Sequence, residues 1–231
     1  MRSINHSTQN PPVTPISLLA FAALLILMPL FFGELMFAAL EKLHLTSEIA
    51  VVLTFGIIVG GFVNIPIKRY ARDEWMVAHP LAVLGIFDLL SHMVQRRRET
   101  IIAINVGGCV IPVALAIYEI FYLGGHALLA VALASSFNVV VCYAIARPVP
   151  GVGLAMPGLV SALLAAVSAS LLAPDQAPPV AFIAGVTGPL IGADLFHIGE
   201  IRHMTVGIAS IGGAGTFDGI VLSGIIAAYL A

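Results

Sequence analysis

Apolar residues run in long blocks along this chain, broken by short clusters of charge, proline and glycine. A helix needs about 20 mainly apolar residues to cross the hydrocarbon core of a bilayer. Cutting the chain at its charges, prolines and glycines gives seven blocks near that length, at 16–40, 49–65, 100–123, 125–146, 157–173, 180–201 and 206–230. The pattern predicts an all-α, polytopic membrane helix bundle of about seven transmembrane helices. Residues 16–231 form one transmembrane domain, and the tail 1–15, rich in Ser, Asn, Thr and Pro, is too polar to build a core and is expected to be disordered. The first block follows a polar tail and carries no clear cleavage site, so it reads as a retained anchor, not a secretory signal.

The one long loop, 68–99, has a different pattern. Leu81, Leu84, Phe87, Leu90 and Val94 recur at helical spacing, with Asp88, Ser91, His92 and Gln95 opposite and Arg96, Arg97 and Arg98 at the end. This stretch is too short to span, and its basic end suits anionic headgroups, so it predicts an amphipathic helix lying in the interface.

The distribution of cations orients the bundle. With seven spans, nine of the ten Lys and Arg residues fall on one side: Arg2, Lys68, Arg69, Arg72, Arg96, Arg97, Arg98, Arg147 and Arg202. Only Lys42 falls on the other. Translocated loops avoid cations, so the N-terminus is expected in the cytoplasm, the C-terminus outside, and the protein in the plasma (inner) membrane.

Composition sharpens the class. The chain is 60% hydrophobic and 10% charged, with mean hydropathy +1.06, far from the balance of soluble domains. A formal net charge of −2 leaves no basic surface for nucleic acid. The two cysteines, Cys109 and Cys142, sit inside apolar blocks as small hydrophobes and form no CxxC motif.

Carboxylates inside spans are expensive, which makes each a functional candidate. Glu34 and Glu119 come late in outward-running spans, where snorkelling to the outer interface explains them. Asp194 and Asp218 differ. Asp194 precedes Arg202 by eight residues, about 12 Å of helix, and Asp218 follows Gly207 by eleven, about 16 Å. Two acids on consecutive antiparallel helices thus fall at similar depth, on helices that a hairpin makes neighbours.

Glycine surrounds both. Residues 207–220 hold five glycines, among them Gly213 and Gly215, and predict an unwound start to the last span. Such backbone survives at membrane depth only in protein or beside a wet cavity. Gly215, Gly219, Ser223 and Ala227 then form a small-residue ridge for close helix packing. In the preceding span Gly185, Gly188, Gly192 and Gly199 form one stripe, with Thr187, Asp194 and His197 on the other side facing a cavity. Asn64, Asn105 and Asn138, on the inner half, line the same cavity or form interhelical hydrogen bonds.

The spacing Asp194, His197, Glu200, His203 invites a metal reading, but successive steps around a helix put His203 opposite Asp194. No metal and no cofactor are expected, and Glu200, Arg202 and His203 read as interface residues. The strings VGGFVNIP at 59–66 and VGGCVIP at 106–112 echo each other, as in inverted repeats or in close helix packing.

The strings GPLIGADLF at 188–196 and SIGGAGTFDGI at 210–220, with ARPVPGVGLAMP at 146–157 and NIP at 64–66, resemble an uncharacterised family of bacterial and archaeal membrane proteins, catalogued as a domain of unknown function. The resemblance runs from the second span onward and implies no activity. A looser likeness is to the GxGD intramembrane aspartic proteases, which carry one catalytic Asp on each of two adjacent spans. Here Gly213, Ala214 and Gly215 precede Asp218 with Thr216 and Phe217 between, and Ala193 stands where those enzymes have Tyr before the first Asp. That likeness implies catalytic roles for Asp194 and Asp218.

Three functions fit. In the leading one the two acids share a proton and a water and hydrolyse a helical membrane-protein substrate, titrating as a pair. In the alternative they couple proton or cation movement to a small solute, with Asn64, Asn105 and His197 contributing contacts. In the third the protein is a scaffold whose acids cap helices or pair with hydroxyls, such as Asp194 with Thr187. The bilayer is the expected environment, and a second copy of the chain is a further candidate partner.

Overall fold

A computed structural model describes residues 27, 30–72, 98–149, 153–201, 208–213 and 218–231. The expected disordered tail, most of the first span, the amphipathic helix of the 68–99 loop, Arg202, His203 and Gly215 lie outside the described residues.

The fold is mostly helical. In chain order it runs α1 (Leu30–Leu40), α2 (Ser47–Gly60), β1 (Asn64–Arg72), β2 (Arg98–Asn105), α3 (Val106–Gly125), α4 (Ala127–Ile145), β3 (Arg147–Val149), β4 (Gly153–Ala155), α5 (Gly158–Leu172), α6 (Ala177–Thr187), a π-helical segment (Gly188–Leu195), α7 (Ile198–Ile201), β5 (Ile208–Ile211) and α8 (Gly219–Leu230). Three helical runs are long and apolar enough to cross a membrane: α3, α4 and the stretch Pro174–Glu200 that contains α6 and the π segment. The other apolar helices are shorter, 10–17 residues. Large apolar side chains such as Phe62, Phe121, Leu129 and Leu171 face outward, as a bilayer requires.

An all-α expectation is therefore incomplete. The block 49–65 ends as helix at Gly60 and continues as strand, and 100–123 begins as strand and turns helical at Val106. The strands β1, β2 and β5 form one sheet in that order, β1 against β2 antiparallel and β2 against β5 parallel. Thr100, Ile101, Ile102 and Ile104 are β-branched, which favours a strand where apolar length alone suggested a helix. Pro66 sits in the outer strand β1, where the register shifts between Pro66 and Lys68; proline has no N–H to give to a ladder and is confined to such edges.

The break between α3 and α4 falls at Gly124, whose φ of 64° and ψ of −171° cannot continue a helix. α6 occupies the centre of the bundle, with residues 179–186 all buried among α4, α5 and α8. Its approach to α8 depends on glycine: a Cβ on Gly185 would lie 2.7 Å from the Ser223 carbonyl oxygen, and one on Gly224 would lie 2.7 Å from Val186 Cγ2. The small-residue ridge of the last span is thus in use where it is described, with Ser223 and Ala227 buried.

The glycine stripe of the sixth span divides. Gly185 faces α8, Gly188 and Gly192 face α4, and Gly199 has no neighbour within 4 Å among the described residues. The cause is the π segment. Its wider turns advance fewer degrees per residue, so a phase drawn for an α-helix drifts by the time it reaches Gly192. Pro189 lies at the start of this segment and cannot supply an amide hydrogen bond, a local reason for the ladder to shift.

Two ends of the bundle are tied differently. At one end Lys42 Nζ donates to the Tyr229 carbonyl oxygen (2.5 Å) and His44 bonds Glu119 (2.8 Å), joining the α1–α2 turn to α8 and α3. At the other lies the three-stranded sheet, and the candidate site forms beside it.

Candidate functional site

The site begins with a pinned corner where strands become helices. Asn105 caps α3: its Oδ1 accepts from the Gly108 N–H (2.7 Å), while its Nδ2 donates to the Gly61 carbonyl (2.8 Å) and to Asn64 Oδ1 (3.1 Å). Ser210 Oγ on β5 donates to the same Asn64 oxygen (2.6 Å). Three chain segments are thus fastened through two amides. Asn105 is wholly buried and both its donor hydrogens and its acceptor are in use, so it is a fastening and not a group left to hold a solute.

Glycines let the backbones cross here. A Cβ on Gly107 would collide with the Ile57 carbonyl and the Gly61 nitrogen, so the two GG pairs that echo each other in sequence pack against one another. Gly108 and Gly212 are in backbone contact in the same way, and Gly212 has φ 70°.

The turn at Gly212 aims its N–H at the acid. That N–H donates to the Asp194 carboxylate, which projects from the π segment. Asp218 caps α8, its Oδ1 accepting from the Ile220 N–H (2.9 Å), so it sits at the positive end of that helix. The two carboxylates are close enough for their charges to act on each other, and the Cys109 thiol is within electrostatic reach of both. Both acids are half-buried. A π segment, a helix N-terminus and a glycine turn therefore place the two expected acids within electrostatic reach of each other. Cys109, read from the sequence as a plain core residue, belongs beside them; no local pattern marks it, because its neighbours come from residues 194 and 218.

The remaining sequence candidates separate into other surroundings. Asn138 is buried one layer away, its Nδ2 donating to Ser161 Oγ (3.0 Å) and the Ala184 carbonyl (2.8 Å), with Ser161 and Ser223 hydroxyls 2.6 Å apart. Thr187 Oγ1 donates back to its own helix at the Ile183 carbonyl (2.8 Å), so the suggested pairing with Asp194 does not form. His197 is buried with Nδ1 on the Ala193 carbonyl (2.8 Å) and its ring against Tyr143, 4.9 Å between centroids. Gly213 lies in the turn after β5, exposed, its N–H on the Ser210 carbonyl (2.9 Å). Asn64 remains exposed beside the corner. Among the described residues no group of three or more His, Cys, Asp or Glu is arranged to hold a metal ion.

Residues 58–230 match a family described as Protein of unknown function (DUF1614). The chain belongs to the DUF1614 family. The match takes in every element of the acid site, from the end of α2 through α8. Neither the curated proteins nor the solved structures give a match to this DUF1614 chain.

Proposed function

We propose that this DUF1614 protein is an intramembrane hydrolase of the di-aspartyl kind, with Asp194 and Asp218 acting on a peptide bond of a membrane-protein helix. The observation that carries the reading is that the two carboxylates lie within electrostatic reach of each other. One carboxylate takes a proton from a water, the water oxygen attacks the scissile carbonyl carbon, and the other acid gives its proton to the leaving nitrogen. The Gly212 N–H donates to Asp194 and the Ile220 N–H to Asp218 Oδ1, and these two bonds hold the acids in place. Among the described residues β5 is an edge strand that ends seven residues before Asp218. An extended segment of substrate can add to such an edge, and a helix must unwind before its amide is open to attack. The cation distribution supports a plasma-membrane protein with the acid end toward the cytoplasm.

A second reading is a proton- or cation-coupled transporter using the same acids. The specific observation in its favour is that the sixth helical run passes through a π segment that carries Asp194, while α8 begins at Asp218 itself, an arrangement like the interrupted helices of transporters. Saturation of Asn105 removes one of the solute contacts that this reading drew on.

Full-length protein in liposomes tests both. Cleavage of helical membrane substrates that falls by about 100-fold or more in Asp194→Asn and in Asp218→Asn supports the hydrolase. Solute- or proton-linked flux without cleavage, lost in the same variants, replaces it with the transporter. Unchanged behaviour of both variants in every assay removes both and leaves a scaffold.

A further inference from the structure

Far from the acid pair, at the opposite end of the bundle, Glu119 is completely buried. Sequence position suggested a side chain reaching out to the interface; instead it points inward. Its Oε2 meets His44 Nδ1 at 2.8 Å, and its Oε1 has no partner among the described residues. Buried carboxyl oxygens without a donor are costly and rarely kept without use.

His44 is the opposite in exposure. It lies on the α1–α2 turn with a quarter of its side chain open to solvent. Two contacts fix it: its ring stacks on Tyr122 (centroids 4.1 Å apart), and its carbonyl oxygen accepts from Tyr118 Oη (3.0 Å). The imidazole is thus held with one nitrogen on a buried acid while a quarter of its side chain stays open at the surface of the protein. An imidazole can take a proton at one nitrogen and release one from the other.

We infer that Glu119 and His44 form a second proton-binding site, filled from the aqueous layer through the His44 ring. One proton lies on the line between Nδ1 and Oε2. A further one enters as the ring picks up a proton at Nε2 and passes the Nδ1 proton to Oε2, which leaves the carboxyl neutral and takes the charge off the unpartnered Oε1. The other charged groups of this end are engaged or point to solvent. Glu41 accepts from Ser47 Oγ (2.9 Å), Lys42 is on the Tyr229 carbonyl, and Glu48 and Asp175 are exposed. None of them is recorded as a partner of Glu119. The site is independent of Asp194 and Asp218, so its fate is separable from that of the proposed hydrolase.

Infrared difference spectra of the full chain in lipid vesicles, taken between mildly acidic and mildly alkaline medium, read carboxyl protonation directly. The expected result is a protonated-carboxyl band that is lost in Glu119→Gln and kept in the double variant Asp194→Asn, Asp218→Asn. If Glu119→Gln fails to fold, Glu119→Asp serves, with a shifted band expected. In His44→Ala the band develops roughly 100-fold more slowly after a pH jump, and added imidazole restores the rate, which a packing role for His44 does not explain. A spectrum unchanged by either Glu119 substitution overturns the inference. So does a band that vanishes with the aspartates instead, or a His44→Ala variant that keeps the wild-type rate.

Discussion

Gly108 and Gly212 lie backbone to backbone, each filling the space where the other would carry a side chain. This contact seats the α3 start against the turn that donates to Asp194. Gly212→Ala adds a Cβ at positive φ as well as a collision, and is expected to cost about 3 kcal/mol or more. Gly108→Ala has no positive φ but brings its Cβ onto the Gly212 carbonyl oxygen, closer than the 2.6 Å met at Gly212 and so a harder collision. Thermal unfolding in detergent, followed by loss of monodisperse protein, should show both variants destabilised.

The two aspartates predict a trade between stability and function. Like charges held close oppose folding, so Asp194→Asn, which keeps an oxygen for the Gly212 N–H, is expected to stabilise the protein by on the order of 1 kcal/mol while activity is lost. A lowered midpoint of thermal unfolding in Asp194→Asn would count against close coupling of the pair.

Asp218 has a second duty as the cap of α8, and substitutions can separate the two. Asparagine caps a helix about as well as aspartate, whereas alanine gives up about 1 kcal/mol. Asp218→Asn keeps the cap and removes the same like-charge repulsion, so it should be at least as stable as the wild type without activity, and Asp218→Ala should be about 1 kcal/mol less stable than Asp218→Asn and equally inactive. Paired melting curves and cleavage assays distinguish these outcomes.

Asn105 should be the most sensitive asparagine. Asn105→Ala leaves the Gly108 N–H and the Gly61 carbonyl without their partner, a loss of roughly 2–6 kcal/mol when each buried group costs about 1–3. Ser210→Ala removes a single hydroxyl from an exposed place and should cost about 1 kcal/mol. Denaturation of the two variants in the same detergent checks the order.

Orientation is open to a direct measurement. A periplasmic reporter fused after Lys42 is expected to be active, and one fused after Arg147 inactive, because the cations cluster on the retained side. The reverse pattern would turn the acid pair toward the outside.

Much of this was readable from the sequence, for local reasons. The break at Gly124 and the glycine-rich start of the last helix were visible because glycine marks places where a helix stops. That Asp194 and Asp218 lie within electrostatic reach fits the equal depth read for them on neighbouring segments. The sheet was not visible: a short apolar run such as 101–104 satisfies a helix and a buried strand equally, and only its partners decide. The π segment escaped for a similar reason, since residue spacing is read with an assumed turn angle. Glu119 was misjudged because its partner His44 is 75 residues away, beyond the reach of any pattern along the chain.

α8 has twelve residues, about 18 Å of helix, against a hydrocarbon layer of about 30 Å. With α5, which packs against it, also short at fifteen residues, lipid on that flank must thin to match them, drawing headgroups inward. The two acids would then be wetted from a dimple in the membrane surface, and their reach into the bilayer would depend on the thickness of the surrounding lipid as much as on the protein.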